Sequence, residues 1–184
     1  YKALLEIKFL SGKLENIPDE GTIAPASYDF VIGMTKEALI KKMQERQASI
    51  LNEAWNARQP NLPINTKQEA LILASIIEKE TSLKNERGKV SSVFVNRLLR
   101  EIPLQTDASV IYGITRGKKV LGRGLRRSEL KKDTPWNTYV NKGLPPSPIG
   151  NPGKASIHAA LNPDITNYLY FVADGRGGHA FAEN

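Results

Sequence analysis

The amino-acid sequence predicts an α+β fold in which a set of helices is followed by an irregular half that contains β-structure. Apolar residues at helical spacing and helix-start signals dominate residues 31–103. After that point turn formers and short β-prone runs prevail, in LQTDASVIYG, NTYVNKGLPPSPIGNPG and YLYFVADGRGGHAF. One more short helix is predicted within this half, over ASIHAALNP.

Three helices are predicted in the first half. The first begins after Thr35, a favourable N-cap with an acidic residue in the turn that follows, and ends before Pro60. The second begins at a T-x-x-E capping box formed by Thr66 and Glu69. The third covers ERGKVSSVFVNRLLRE and ends at Pro103.

The length and composition of the chain indicate an ordinary globular protein. The chain has 184 residues, of which 40% are hydrophobic and 24% charged, and it contains no cysteine. It therefore uses neither disulfide bonds nor thiolate metal ligands. Its longest apolar run is shorter than the ~20 residues that span a bilayer. Because the chain begins at Tyr1 rather than Met, we expect a processed or cloned fragment, with any membrane anchor outside this chain.

The positive charge is local. Net charge is +7, and residues 116–132, RGKKVLGRGLRRSELKK, hold eight Lys or Arg and one acid, Glu129. Such a patch suggests nucleic acid, an anionic membrane surface or an acidic polymer as a partner. The stretch contains no aromatic residue for base stacking, and the simpler interpretation is a solvated basic loop.

Residues 70–82, ALILASIIEKETS, end an apolar helix in two glutamates. At ~100° per residue, Glu80 projects onto the apolar arc, whereas Glu78 falls on the other side, where we expect solvent. Apolar surroundings and the C-terminal end of the helix dipole both raise the pKa of a carboxyl. A carboxyl that is protonated near neutral pH suits a general acid, and the hydroxyls of Thr81 and Ser82 could orient it.

Alternatives remain open at this stage. Glu80 could instead form a salt bridge with Arg97 of the next helix. A hydrolase that uses two carboxylates would take Asp107 or Asp133 as the partner of Glu80. Asp107 also suits a turn or an N-cap before SVIYG, and we favour that interpretation.

Histidine chemistry is poorly supported. His158 and His179 are the only histidines, neither has a zinc-type partner at helical spacing, and no G-x-S-x-G motif occurs. A stiff proline-rich segment, GLPPSPIGNPG, lies close in sequence to polar and aromatic residues that could line a groove for an extended polar polymer. These residues are Tyr112, Trp136, Asn137 and Tyr139, and ordinary packing is the alternative for at least half of them.

Several blocks taken together resemble one known family. ASIIEKET, VFVNRL, LQTDASVIYG, DTPWNTYVNKGLPPSPIGNPG and YLYFVADGRGGHAF resemble, in order and spacing, the endolytic murein transglycosylases of the YceG-like family. The similarity covers residues 66–184, with EGTIAPASYDF as a weaker upstream block. Ala26 and Ser27 stand where the family has an acid and a threonine, and Trp136 stands where a tyrosine is more usual.

The resemblance implies domains and site residues. Residues 31–184 would be a YceG-like catalytic domain, truncated at its C-terminus, and residues 1–30 the trailing edge of a LysM-like module with its linker. The family's catalytic glutamate falls on Glu80. Implied substrate-binding residues are Gln105, Asp107, Tyr112, Asn137, Tyr139, Pro145 and Pro146, and Thr106 and His179 are further motif positions.

The resemblance also implies an activity. It is cleavage of the bond between N-acetylmuramic acid and N-acetylglucosamine within nascent peptidoglycan strands, with 1,6-anhydro ends as products and a role in terminating glycan elongation. Peptidoglycan synthases would be partners, no metal or organic cofactor is implied, and the location would be the bacterial inner membrane with the catalytic domain facing the periplasm. A muramidase-type hydrolase and a non-catalytic polyanion-binding protein are the two alternatives.

Overall fold

The computed structural model describes residue 7 and residues 9–184. Six helices and a two-stranded sheet occupy this part of the chain. The helices are α1 (Lys36–Asn56), α2 (Lys67–Glu80), α3 (Arg87–Leu99), α4 (Asp107–Thr115), α5 (Arg127–Leu130) and α6 (Lys154–Leu161). The antiparallel strands are β1 (Tyr170–Ala173) and β2 (His179–Ala182), with Phe171 opposite Phe181. Mixed helix with a small sheet agrees with the predicted α+β class.

Helix α2 is the centre of the fold. Every residue from Ala70 to Ile77 is buried. The helix packs most extensively on α6 and also contacts α1, α3 and α4. Since each fully buried Leu or Ile contributes about 1.5–3 kcal/mol, this helix supplies much of the core. In its last turn Glu78 and Glu80 are half-buried, whereas Lys79 between them is exposed.

The caps that the sequence predicts are present. The Thr35 hydroxyl accepts a hydrogen bond from the Ala38 amide at 3.0 Å. At the start of α2, the Glu69 amide donates to the Thr66 hydroxyl at 3.1 Å, while the Thr66 amide donates to the Glu69 carboxylate at 3.2 Å. The predictions of α1, α2, α3 and α6 are confirmed, each to within a few residues.

The prediction of β-prone structure over LQTDASVIYG is wrong, because most of this segment forms helix α4. Thr106 is its N-cap residue in an extended conformation, and Asp107 occupies the first turn. Val110 and Tyr112 are buried, and Tyr112 belongs to the main apolar cluster. Packing against α2 therefore overrides the strand preference of Val, Ile and Tyr. Of the β-prone segments, only the last forms strands.

The segment before α1 is attached to the main body. The amides of Gly21 and Ile23 donate to the Asn151 side-chain oxygen at 3.0 and 3.1 Å. The Gln47 side chain donates to the carbonyls of Gly21 and Pro152 at 2.9 and 3.0 Å. Residues 1–6 and 8, part of the predicted LysM-like remnant, lie outside the described residues. The domain boundary at residue 30 stays a prediction.

Among the described residues, no helix is both long enough and apolar enough to cross a membrane.

Candidate active site

Glu80 is the last residue of helix α2. It is half-buried, and its carboxylate accepts a hydrogen bond from the Thr106 hydroxyl. Burial raises the pKa of Glu80, and the nearby charge of Asp107 raises it further. The Thr106 hydrogen bond and His179 lower it, but the net direction is upward. The direction agrees with the helical-wheel argument. The orienting hydroxyl comes from Thr106, however, and not from Thr81 or Ser82.

The alternative salt bridge between Glu80 and Arg97 is wrong, because the Arg97 guanidinium is engaged elsewhere. Its Nε donates to the Leu169 carbonyl at 2.6 Å, and its Nη1 donates to the Leu104 carbonyl at 3.0 Å and the Gln105 side-chain oxygen at 3.4 Å. Only 7% of Arg97 is exposed, and burial lowers the pKa of its guanidinium. Arg97 thus fastens the segment that leads into Thr106 to the segment that leads into β1.

A hydroxyl network fixes Thr106 from the other side. The Thr106 amide donates to the Thr138 hydroxyl at 3.1 Å, and the Thr138 and Ser109 hydroxyls are 2.8 Å apart. The Gln105 amide donates to the Thr138 carbonyl at 3.0 Å, while Gln105 itself adopts a left-handed φ of +51°. An L-residue in this region is strained, and here the neighbouring hydrogen bonds hold it. Thr106 is therefore presented to Glu80 by a rigid support.

Asp107 and Tyr139 form the exposed edge of the site. The Tyr139 hydroxyl donates to the Asp107 carboxylate at 2.6 Å. Burial, the bond to Asp107 and the nearby charges of Asp107 and Glu80 together raise the pKa of Tyr139. Asp107 is exposed and close enough to Glu80 to influence its pKa. Asp133, the other candidate partner, is exposed and accepts a hydrogen bond from the Asn141 side chain at 3.4 Å, and it is not among the charges that shift the pKa of Glu80.

Asn137 lies beneath this edge rather than on it. It is 0% exposed, and its amide nitrogen donates to the carbonyls of Leu130 and Lys132 at 3.0 and 2.7 Å. Its oxygen accepts the Tyr139 amide at 2.9 Å. Both the nitrogen and the oxygen of the Asn137 carboxamide are thus hydrogen-bonded within the protein. The arrangement favours a role in holding the segment around Leu130 and Lys132 over contact with substrate.

The remaining predicted substrate-binding residues divide by exposure. Gln105 and Pro146 are exposed, whereas Tyr112 and Pro145 are buried. Tyr112 packs against Trp136 with 5.9 Å between ring centroids. The Trp136 indole nitrogen in turn donates to the Ser147 hydroxyl at 3.0 Å. This packing favours the alternative interpretation for Tyr112, and the burial of Pro145 likewise places it away from solvent.

Glu86 and His179 form a pair that the sequence did not reveal. The His179 Nδ1 is 2.7 Å from the Glu86 carboxylate, which also accepts the His179 amide at 3.0 Å. The hydrogen bonds from His179 lower the pKa of Glu86. A Cβ atom at Gly178 would lie 2.8 Å from the Glu86 carboxylate, so glycine before His179 permits this approach. That Gly-His step is the one sequence signal for the pair.

Glu78 does not meet solvent as predicted. Its half-buried carboxylate accepts the Gly153 amide at 3.1 Å and the Ser156 hydroxyl at 2.6 Å. Both donors lie at the start of α6, where an anion is favoured. The wheel assigned Glu78 to a solvent face, but the start of α6 lies against Glu78, and Lys79 is the exposed residue of this turn.

The described residues contain no cluster of three His, Asp or Glu side chains that could hold a metal ion. What the site offers is a carboxyl with a raised pKa, a hydroxyl donor fixed against it and an exposed Asp–Tyr edge. This combination suits proton transfer to and from a polar substrate.

Known proteins resemble this chain over most of its length. The YceG-like family profile matches residues 3–184. An endolytic murein transglycosylase of Bacillus subtilis is 39% identical over 167 residues, which are 90% of this chain and 45% of that protein. One from Streptococcus pneumoniae is 33% identical over 171 residues, covering 90% of this chain and 30% of that protein. The chain thus spans less than half the length of these relatives.

A solved structure shares the fold. The crystal structure of a YceG-like protein from Listeria monocytogenes superposes with a TM-score of 0.73 at 33% identity, over 89% of this chain and 51% of that one. The match of the family profile to nearly the whole sequence, together with these relatives, shows that this chain belongs to the YceG-like family.

Proposed function

We propose that this chain carries the catalytic part of a lytic transglycosylase that cuts peptidoglycan glycan strands internally, between N-acetylmuramic acid and N-acetylglucosamine. The observation that carries the proposal is Glu80, a carboxyl whose pKa burial raises and whose position is fixed by Thr106. The names of the relatives, endolytic murein transglycosylases, support the same reaction class.

In the proposed first step, protonated Glu80 donates its proton to the glycosidic oxygen as the bond to C1 of the muramyl residue breaks. The N-acetylglucosamine-bearing fragment leaves with a hydroxyl group. In the second step the ionised carboxylate takes the proton of the muramyl C6 hydroxyl, whose oxygen bonds to C1 and closes the 1,6-anhydro ring. Glu80 ends protonated, and no water is consumed, so one carboxyl acts as both acid and base.

Thr106 has a defined part in this cycle. Its hydroxyl donates to Glu80, which favours the ionised carboxylate, while burial favours the protonated one. Burial is the larger of the two effects, so the carboxyl keeps a raised pKa, which suits the acid step, while the hydrogen bond supports the ionised form that acts as the base.

The positive charge that develops at C1 also needs stabilisation. The substrate's own N-acetyl group is a candidate for this, oriented by the exposed Gln105 side chain or by Tyr139 at the rim of the site. Asp107 shares this rim and binds Tyr139.

The wider role rests on the sequence resemblance alone. We propose that the protein acts on nascent strands, so that its cuts terminate glycan elongation, and that peptidoglycan synthases are its partners. An anchor outside this chain would hold it at the bacterial inner membrane, with the catalytic part facing the periplasm.

Product analysis tests the reaction. The purified chain, and beside it the full-length product of its gene, would be incubated with nascent peptidoglycan in ¹⁸O-labelled water. Wild type should release anhydro ends without label, and Glu80→Gln should release none. Glu45→Gln, which removes an exposed carboxylate from α1, is the matched control.

One observation keeps hydrolysis as a second candidate. Asp107 is exposed and its charge raises the pKa of Glu80, so it is placed to act as the base for a water molecule. Hydrolysis would leave ¹⁸O at new reducing ends, and Asp107→Asn would abolish them. Anhydro ends that persist in Asp107→Asn would exclude this mechanism.

A further inference from the structure

The basic loop, residues 116–132, carries the chain's excess of positive charge. Its eight Lys or Arg against one Glu match the net charge of +7 of the whole chain. Arg123 pairs with Glu129 at 2.6 Å, and Arg116 lies over the Trp136 ring at 3.6 Å. The other cations are exposed and form no salt bridge within the described part of the chain; they are Lys118, Lys119, Arg126, Arg127, Lys131 and Lys132.

The loop is held in shape from inside. The Glu129 carboxylate accepts hydrogen bonds from both Nη atoms of Arg123, at 2.8 and 2.6 Å, and from the Arg126 amide at 2.8 Å. The buried Asn137 side chain binds the carbonyls of Leu130 and Lys132 from below. Glu129 and the buried Asn137 amide therefore order the loop, and the six remaining cations are exposed.

The loop also exposes an aliphatic side chain. Val120 is 90% exposed and directly follows Lys118 and Lys119. Transfer of an exposed valine side chain from water into the headgroup region of a bilayer is favourable. The ammonium groups of the adjacent lysines are attracted to anionic headgroups at the same time. A nucleic acid would instead favour aromatic side chains, which the loop lacks.

We propose that the basic loop binds the surface of an anionic lipid bilayer, with Val120 between the headgroups and the exposed Lys and Arg of the loop on lipid phosphates. The proposal does not depend on the proposed catalytic activity. The loop connects through Asn137 to Tyr139 at the rim of the candidate active site. Docking would therefore hold that site close to the bilayer surface.

Vesicle co-sedimentation of the purified 184-residue chain tests the proposal. It should bind vesicles of phosphatidylglycerol and phosphatidylethanolamine, less so as salt rises, and not vesicles of phosphatidylcholine. Combining Lys118→Gln, Lys119→Gln and Arg127→Gln should weaken binding on the order of 100-fold. Val120→Ser alone should weaken it about 3- to 10-fold.

A matched triple variant separates the loop from general charge. Lys13→Gln, Lys41→Gln and Arg100→Gln remove the same charge from exposed positions elsewhere and should weaken binding far less. Equal weakening by both triple variants would overturn the proposal, as would no vesicle binding by wild type. If soluble polyphosphate binds the loop as tightly as vesicles do and Val120→Ser has no effect, the loop is a polyanion site and not a membrane contact.

Discussion

Two glutamates in the last turn of helix α2 have opposite surroundings. Glu78 faces the start of α6, where a backbone amide and a hydroxyl donate to its carboxylate. Glu80 faces the start of α4, where Thr106 donates one hydrogen bond and the carboxylate of Asp107 lies nearby. One side of the turn joins two helices, and the other presents a carboxyl with a raised pKa. Burial is the largest cause of the raised pKa of Glu80, whereas the two donors around Glu78 tie its carboxylate to α6.

Glu80→Gln is the change with the largest expected effect on activity. An amide transfers no proton, so kcat/KM for glycan cleavage should fall by about 10²–10⁴. Stability should change in the opposite direction. Because its folded-state pKa is raised, Glu80 stabilises the fold at low pH, and this contribution is lost as pH rises through that pKa.

The free energy of unfolding of Glu80→Gln should therefore match wild type in acid and exceed it as pH rises. Urea unfolding across a pH series measures this, with Glu45→Gln as control. A variant that is less stable than wild type above neutral pH would contradict it.

Arg97→Met should disturb the structure around Glu80 and leave the structure around Glu78 unchanged. It leaves the carbonyls of Leu104 and Leu169 without their donor, which should cost about 3 kcal/mol in the free energy of unfolding. Hydrogen exchange should show faster exchange of the Thr106 amide, while the Gly153 amide bound to Glu78 keeps its protection. Equal loss of protection at both amides would mean that the two sides are not independent.

Glu78→Gln should have the reverse pattern to Glu80→Gln. Losing a charged acceptor at the start of α6 should cost about 1–2 kcal/mol of stability. Activity should stay within about threefold of wild type, since no step is routed through Glu78. Glu53→Gln is a matched control, because Glu53 also pairs with α6, through exposed Lys154 at 3.4 Å, and such pairs contribute under ~1 kcal/mol.

Thr106→Val should give the smallest and most specific change. Without the hydroxyl, the pKa of Glu80 should rise further, because the bond that lowers it is gone. The limb of the kcat/KM profile that reports Glu80 should shift to higher pH, and Thr106→Ser should restore it. A profile that is identical in all three proteins would show that Thr106 does not act on Glu80.

The local signals of the sequence were sufficient for most helices. Thr35 and the Thr66–Glu69 capping box marked two helix starts that the structure confirms. They were reliable because each cap involves residues within one turn. Helix α4 was missed because its Val and Tyr prefer strands, and only packing on α2 decides otherwise.

The candidate site was predicted unevenly for the same reason. The apolar run before Glu80 indicated a carboxyl against buried surface. Glu86 was missed because its partner, His179, is 93 positions further along the chain. Asn137 was expected at the substrate, but the structure engages its carboxamide with carbonyls of the basic loop.

The sequence alone determined the helix that ends in Glu80, the absence of cysteine, the local excess of positive charge and the resemblance to a family. These are properties of composition and of residues within a few turns of each other. Only the tertiary structure decided which glutamate holds α6, which residue orients Glu80 and what Arg97 binds. Each of those contacts joins segments far apart in the chain, so its donors and acceptors meet only after the core around α2 has formed.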